Sequence, residues 1–231
     1  MSAVVVIGGG IAGLATAALL AREGHEVTLV ERCPDVGGRA GSWERDGFRF
    51  DTGPSWYLMP EVFEHFFRLL GTTTAEQYDL LHLDPGYRVY AEGADAPIDV
   101  SADTVDTLDR FEQIEPGSAR RVARYLDRAR EIYDLARERF LYSTFESLRP
   151  VFAGRVATSG GRLIRLLLEP LEKLVNRTVR DPRLRQVLGY PAVFLGSSPA
   201  LTPSMYSLMS HLDLVDGVRY PLGGFVRVIA S

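Results

Sequence analysis

At 231 residues, 46% hydrophobic and 24% charged, the chain has the composition of an ordinary globular protein and enough length for one large or two small domains. Its formal net charge of −4 argues against bulk nucleic-acid binding, and its one cysteine, Cys33, excludes an intramolecular disulfide and fits a reducing compartment. There is no uninterrupted apolar run of 18 or more residues, and the N-terminus lacks the basic region of a signal peptide, so neither a transmembrane helix nor a leader is expected.

Residues 4–7 are a β-branched run that predicts a buried strand. Gly8, Gly10 and Gly13 follow in a G-x-G-x-x-G pattern. Residues 11–22 are rich in Ala and Leu and predict a helix, which Gly24 ends. Residues 27–30 predict a second strand, with Glu31 at its end. In this pattern Gly8 permits a tight turn, Gly10 lets backbone approach a diphosphate, and Gly13 lets helix and strand pack closely. The helix start, with Ile11 and Ala12, offers free N–H groups and the positive end of the helix dipole to phosphate. Glu31, followed by Arg32, can accept hydrogen bonds from a ribose 2′-OH. Strand, turn, helix and acid in this order point to a dinucleotide.

Gly37, Gly38 and Arg39 come five residues after that second strand, where an NAD domain more often proceeds to its next helix. Flexible backbone with a guanidinium can close over a diphosphate from the other side, which favours FAD over NAD. The competing reading is a solvated loop arginine before a hairpin. Residues 43–51 predict that hairpin, turning at Asp46 and Gly47. Residues 60–70 predict a helix with Val62, Phe63, Phe66, Phe67, Leu69 and Leu70 on its apolar face, ended by Gly71.

From Leu80 to Val100 the pattern changes to short strands of one antiparallel sheet, broken by turns at residues 85–86 and 92–97, which marks entry into a second domain. A helix capped by Asp103 is expected over residues 103–114, then a longer amphipathic helix over 116–141. Residues 149–185 hold nine basic against three acidic side chains, together with Leu163, Ile164, Leu166, Leu167 and Leu168. That combination suits either a helix lying on an anionic membrane or a helix with a buried leucine face and a solvated arginine face. Asp181 with Pro182, and Thr202 with Pro203, each predict a capped helix start. Met205, Leu208, Met209 and Leu212 form an apolar face suited to a core or to an apolar substrate tunnel, and His211 is expected to be a satisfied core histidine.

Gly8, Gly10, Gly13, Glu31, Gly37, Gly38, Arg39 and the run Asp51, Gly53, Pro54, Ser55 resemble the amine-oxidase-like flavoproteins. With Ser204, Met205, Tyr206, His211 and the later run Gly217, Val218, Tyr220, Pro221, Gly223, Gly224, Phe225, the chain is similar to bacterial carotenoid desaturases of the phytoene desaturase type, over about the first half of such proteins. The resemblance implies an α/β fold: a Rossmann-like FAD/NAD(P)-binding three-layer domain with a mixed α+β substrate domain, incomplete at the C-terminus. Expected limits are 1–79 for the FAD-binding part, 80–219 for the substrate and membrane domain, and 220–231 for the return. The implied cofactor is FAD, held by Gly8, Gly10, Ile11, Ala12, Gly13, Glu31, Arg32, Gly38 and Arg39, with Gly53, Pro54 and Ser55 near the flavin ring. The implied substrate is a lipophilic isoprenoid, which tips the basic stretch toward an anionic membrane and places the protein in the cytoplasm, peripheral at the inner face of the cell membrane. The family's charged cluster would fall at residues 146–149; Glu146 and Ser147 depart from it, leaving Arg149 as the catalytic candidate. Other readings are an amine-oxidizing flavoenzyme and a non-catalytic half of a split flavoprotein that binds a complementary C-terminal polypeptide.

Overall fold

The β-branched run and the segment after Gly24 form β1, Ala3–Ile7, and β2, Glu26–Val30, paired in parallel from Ala3 opposite Glu26 to Ile7 opposite Val30. The chain crosses between them through α1, Ile11–Arg22. Gly24, at φ +83°, ends α1: its N–H donates to the Ala21 carbonyl at 3.0 Å, and the His25 N–H to that of Leu20 at 3.1 Å. This closure uses a left-handed residue, which glycine adopts without a Cβ clash. Val4, Val6, Val27 and Leu29 are half-buried, while Val5, Ile7 and Val30 on the other face are 62%, 86% and 48% exposed. The expected buried strand is therefore covered on one face only, among the described residues. The computed structural model describes residues 1–94, 96–142 and 160–231.

Two units are present: Met1–Leu83 with Val218–Ser231, and Asp84–Gly217. In the first, β3, Ser42–Arg45, and β4, Phe48–Asp51, form the predicted hairpin. Asp46 and Gly47 both have positive φ, 53° and 82°, as a two-residue turn matching strand twist requires. The helix α2, Pro60–Leu69, buries Phe67, but Leu69 is 40% exposed, so the apolar face is narrower than predicted. A short helix, α3, Thr74–Gln77, follows. The strand β5, Leu80–His82, does not join the strands after it. It pairs antiparallel with β8, Arg219–Pro221, and the Leu83 N–H extends the ladder to the Val218 carbonyl at 3.0 Å. Pro85 supplies no N–H with which to carry that ladder onward. The core of this unit is Tyr57, Phe67, Tyr78, Phe225 and Val228, the last on α10, Val226–Ile229. Tyr57 is fully buried; its hydroxyl shares a 2.9 Å hydrogen bond with that of Tyr78, and burial pushes its phenol up.

The second unit opens with β6, Tyr87–Val89, antiparallel to β7, Ile98–Val100. Asp103 caps α4, Thr104–Ile114, accepting from the Val105 N–H at 2.7 Å. The long amphipathic helix is α5, Ser118–Ala136, which passes into a wider turn over Arg137–Leu141. Its buried face is Val122, Tyr125, Leu126, Ala129, Ile132 and Tyr133, as the spacing predicts. Next come α6, Gly160–Leu168, and α7, Leu171–Thr178. Asp181 caps α8, Pro182–Gly189, accepting from the Arg183 N–H at 2.9 Å. Thr202 caps no helix: its hydroxyl donates back to the Ser198 carbonyl at 2.9 Å, and Pro203 leads into a tight turn before α9, Leu208–Leu214. Met205, Leu208 and Met209 are half-buried; the buried residues of α9 include Ser210, His211 and Asp213 beside Leu212 and Leu214. The polar Ser210, His211 and Asp213, which lie off the face the sequence marks as apolar, are thus buried more deeply than Met205, Leu208 and Met209 on it.

Candidate dinucleotide site

The turn from β1 into α1 carries most of the predicted cofactor contacts. Gly8 has φ +104°, and its N–H reaches the Val30 carbonyl at 2.8 Å. A Cβ at Gly13 would stand 1.9 Å from the Gly8 carbonyl oxygen, so no side chain fits there. A Cβ at Gly10 would meet nothing within 4 Å, and no side chain caps the start of α1. Open space over a glycine and uncapped N–H groups at Ile11, Ala12 and Gly13 suit a diphosphate.

Glu31 follows β2 directly. Its Oε2 accepts from the Gly9 N–H at 2.6 Å and its Oε1 from the Cys33 N–H at 2.8 Å. These two bonds, Cys33 first, hold its carboxyl below the usual range, so it stays ionised. Each oxygen keeps lone-pair capacity for a ribose hydroxyl. Gly9, which the fingerprint leaves unspecified, is constrained: a Cβ there would lie 2.9 Å from Val36 Cγ1 and 3.2 Å from Glu31 Oε2. Cys33 is exposed.

The second glycine run closes on the first. Gly37 bridges Gly10 and donates to the Gly9 carbonyl at 2.7 Å. Gly38, at φ +58°, begins the turn Gly38–Ala40, and a Cβ on it would lie 3.1 Å from Gly10 Cα. Arg39, like Arg32, is exposed, and its side chain makes no hydrogen bond or ion pair among the described residues. Gly53 packs against the Arg39 carbonyl, where a Cβ would come within 1.7 Å of the oxygen; Pro54 and Ser55 follow on exposed backbone.

Asp51, part of the first motif run but not among the expected cofactor contacts, has a role that sequence reasoning did not foresee. Its Oδ1 accepts from the Phe225 N–H at 2.9 Å and its Oδ2 from the Tyr220 hydroxyl at 3.0 Å. A Cβ on Gly224 would lie 2.8 Å from Asp51 Oδ1. The two quoted motifs therefore meet at one carboxylate, beside a cavity of about 370 Å³ lined by Glu44, Arg49, Asp51, Tyr220, Gly223 and Gly224.

In the second unit His211 is buried, but only half satisfied. Its Nε2 is 3.6 Å from Asp216 Oδ1, while Nδ1 has no hydrogen-bond partner among the described residues. Asp213 accepts from the Tyr87 hydroxyl at 3.1 Å and leaves Oδ1 unpartnered; burial pushes its carboxyl up to about 7. Arg149, with Glu146 and Ser147, lies outside the described residues.

Residues 6–73 match the NAD(P)-binding Rossmann-like domain. Across 226 residues, 98% of the chain, the sequence is 42% identical to a carotenoid 3,4-desaturase of Haloarcula japonica. Over almost its whole length the chain is similar to carotenoid desaturases. A 4,4'-diapophytoene desaturase (4,4'-diaponeurosporene-forming) of Staphylococcus aureus is 31% identical over 96% of the chain. The chain spans 45% and 43% of the lengths of these two relatives. Among solved structures, a putrescine oxidase variant aligns over 99% of the chain and 48% of its own length, at TM-score 0.60 and 18% identity. Cyclohexylamine oxidase from Brevibacterium oxydans IH-35A aligns over 99% of the chain and 48% of its own length, at 0.58 and 19%. At that identity the likeness shows the fold, a Rossmann-like α/β domain joined to a mixed helix and strand region.

Proposed function

We propose that this chain carries the nucleotide-binding and substrate-facing parts of an FAD-dependent desaturase of a long isoprenoid, phytoene or a related carotene. The observation that carries the cofactor reading is the open space over Gly10, closed from the other side by the Gly37 and Gly38 turn. The backbone of Gly8, Gly10, Ile11, Ala12 and Gly13 would hold the diphosphate, and Arg39 would approach it from the second turn. Glu31, followed by Arg32, would accept from the adenosine ribose. Gly38 and residues 53–55 would allow backbone to lie close to the cofactor. FAD, when bound, would supply a hydride acceptor for one carbon of an allylic C–C bond, while the neighbouring carbon loses a proton and the double bond forms between them. The chain's own residues position the cofactor and exclude water; Arg149 is the substrate-side candidate.

The activities of these relatives support the substrate class. Exposed Ile164, Leu167 and Leu168 on α6, next to an exposed Arg165, support peripheral attachment to an anionic membrane from the cytoplasmic side. No helix among the described residues is long and apolar enough to cross a membrane. The working domain limits are 1–79 and 220–231 for cofactor binding and 80–219 for substrate and membrane. The exposed face of β1 and β2 suits a partner segment equivalent to the part of the relatives that this chain does not span, in the same or a separate polypeptide.

The test begins with the absorption spectrum of the chain after incubation with FAD and desalting. Retained flavin bands are expected if the glycine cradle is competent. Liposomes bearing phytoene should then gain conjugated double bonds; peroxide release with amines and no liposome affinity would overturn the substrate reading.

A further inference from the structure

In the second unit, α5, α6 and α7 surround a cavity of about 800 Å³. Among the described residues five arginines line it: Arg121, Arg124, Arg128, Arg165 and Arg177. Two carboxylates among the described residues, Glu131 and Glu169, stand on its walls. Glu169 is shared by Arg165 and Arg177, and Arg121 is paired with Glu115 and donates to the Thr178 carbonyl at 2.8 Å. Arg124 and Arg128 have no such partner among the described residues. They sit one turn apart on α5, where like charges repel, so the fold alone gains nothing from their pairing. The apolar part of the lining is Ile132, Leu166 and Leu174.

We propose that this cavity binds a phosphate ester that carries an apolar chain. Guanidinium groups present planar, paired donors that match phosphate oxygens, and two unpartnered ones can take the anion without breaking an existing ion pair. The apolar lining would receive the first part of the chain. The ligand's source is either a phospholipid headgroup or a free alkyl phosphate; the chemistry is the same. The site lies wholly in the second unit, so the proposal does not depend on the flavin reading.

The test is calorimetric titration of the full chain with dihexanoylphosphatidic acid, inorganic phosphate and dihexanoylphosphatidylcholine. Saturable binding of the phosphatidic acid is expected, tighter than inorganic phosphate and absent for the zwitterionic lipid. R124Q/R128Q should weaken it by about ten-fold or more with melting temperature and flavin retention unchanged. R124K/R128K, which keeps charge but not the planar fork, should fall between. Sedimentation with phosphatidylcholine vesicles containing phosphatidic acid separates the sources: co-sedimentation lost in R124Q/R128Q assigns a membrane headgroup, and binding of the soluble ester alone assigns a free phosphate ester. No saturable binding of any phosphate probe, or equal affinity in the wild type and R124Q/R128Q, overturns the proposal.

Discussion

At the scale of single residues, two glycines three positions apart have separable duties. Gly13→Ala drives a Cβ into the Gly8 carbonyl, so overpacking should lower stability by about 1–3 kcal/mol and weaken flavin retention with it. Gly10→Ala puts its methyl into open space on ordinary extended backbone. Its cost to the fold should be only about 0.5 kcal/mol, from the poorer helix cap, while flavin retention is lost. Thermal melts and desalted flavin spectra of both variants check this; equal loss of stability in the two would show that the cradle is structural only. A second residue-scale effect concerns Asp213. Its carboxyl is pushed up to about 7 in the fold, above the usual aspartate value, so the native state holds a proton that the unfolded chain releases. Stability from this group is present below about pH 4 and is lost as pH rises toward 7, by up to about 4 kcal/mol. Denaturation across that range should show the loss in the wild type and a flatter profile in Asp213→Asn.

Among the elements, local and distant signals part company. The hairpin, the Gly24 closure and the Asp103 and Asp181 caps depend on φ, ψ and bonds within a few residues, and their sequence patterns are legible. The pairing of β5 with β8 is not, because strands of three residues carry too little pattern to choose a partner more than a hundred positions away. Asp51 works in the same way: nothing near it names Phe225 or Tyr220. Asp51→Ala should cost about 1–3 kcal/mol by leaving the Phe225 N–H without its acceptor, read as a lowered urea midpoint. The helix faces make a similar contrast. Leu126→Ala, on the buried face of α5, should cost about 2–5 kcal/mol. Leu69→Ala, at a site 40% exposed, should cost well under about 2 kcal/mol; equal effects would contradict the burial described.

For the molecule as a whole, the exposed face of β1 and β2 is the dominant feature. Val5, Ile7 and Val30 lie side by side in solvent on a sheet that is two-stranded among the described residues, an arrangement that favours association. Ile7→Lys should change stability by less than about 0.5 kcal/mol, since the side chain is 86% exposed, yet reduce self-association in light scattering. It should also block capture of a co-expressed partner segment. Sequence by itself determined the βαβ fingerprint and its glycine spacing, the acid after β2 and the helix starts capped by Asp103 and Asp181. Those features rest on backbone conformations and short-range bonds that a few adjacent residues dictate. Only the tertiary structure decided that Glu31 is aimed by Gly9 and Cys33, that Asp51 ties two motifs together, and that Asp213 and His211 of α9 lie buried. Each of these joins groups through space, where burial and chain closure, not local pattern, select the partner.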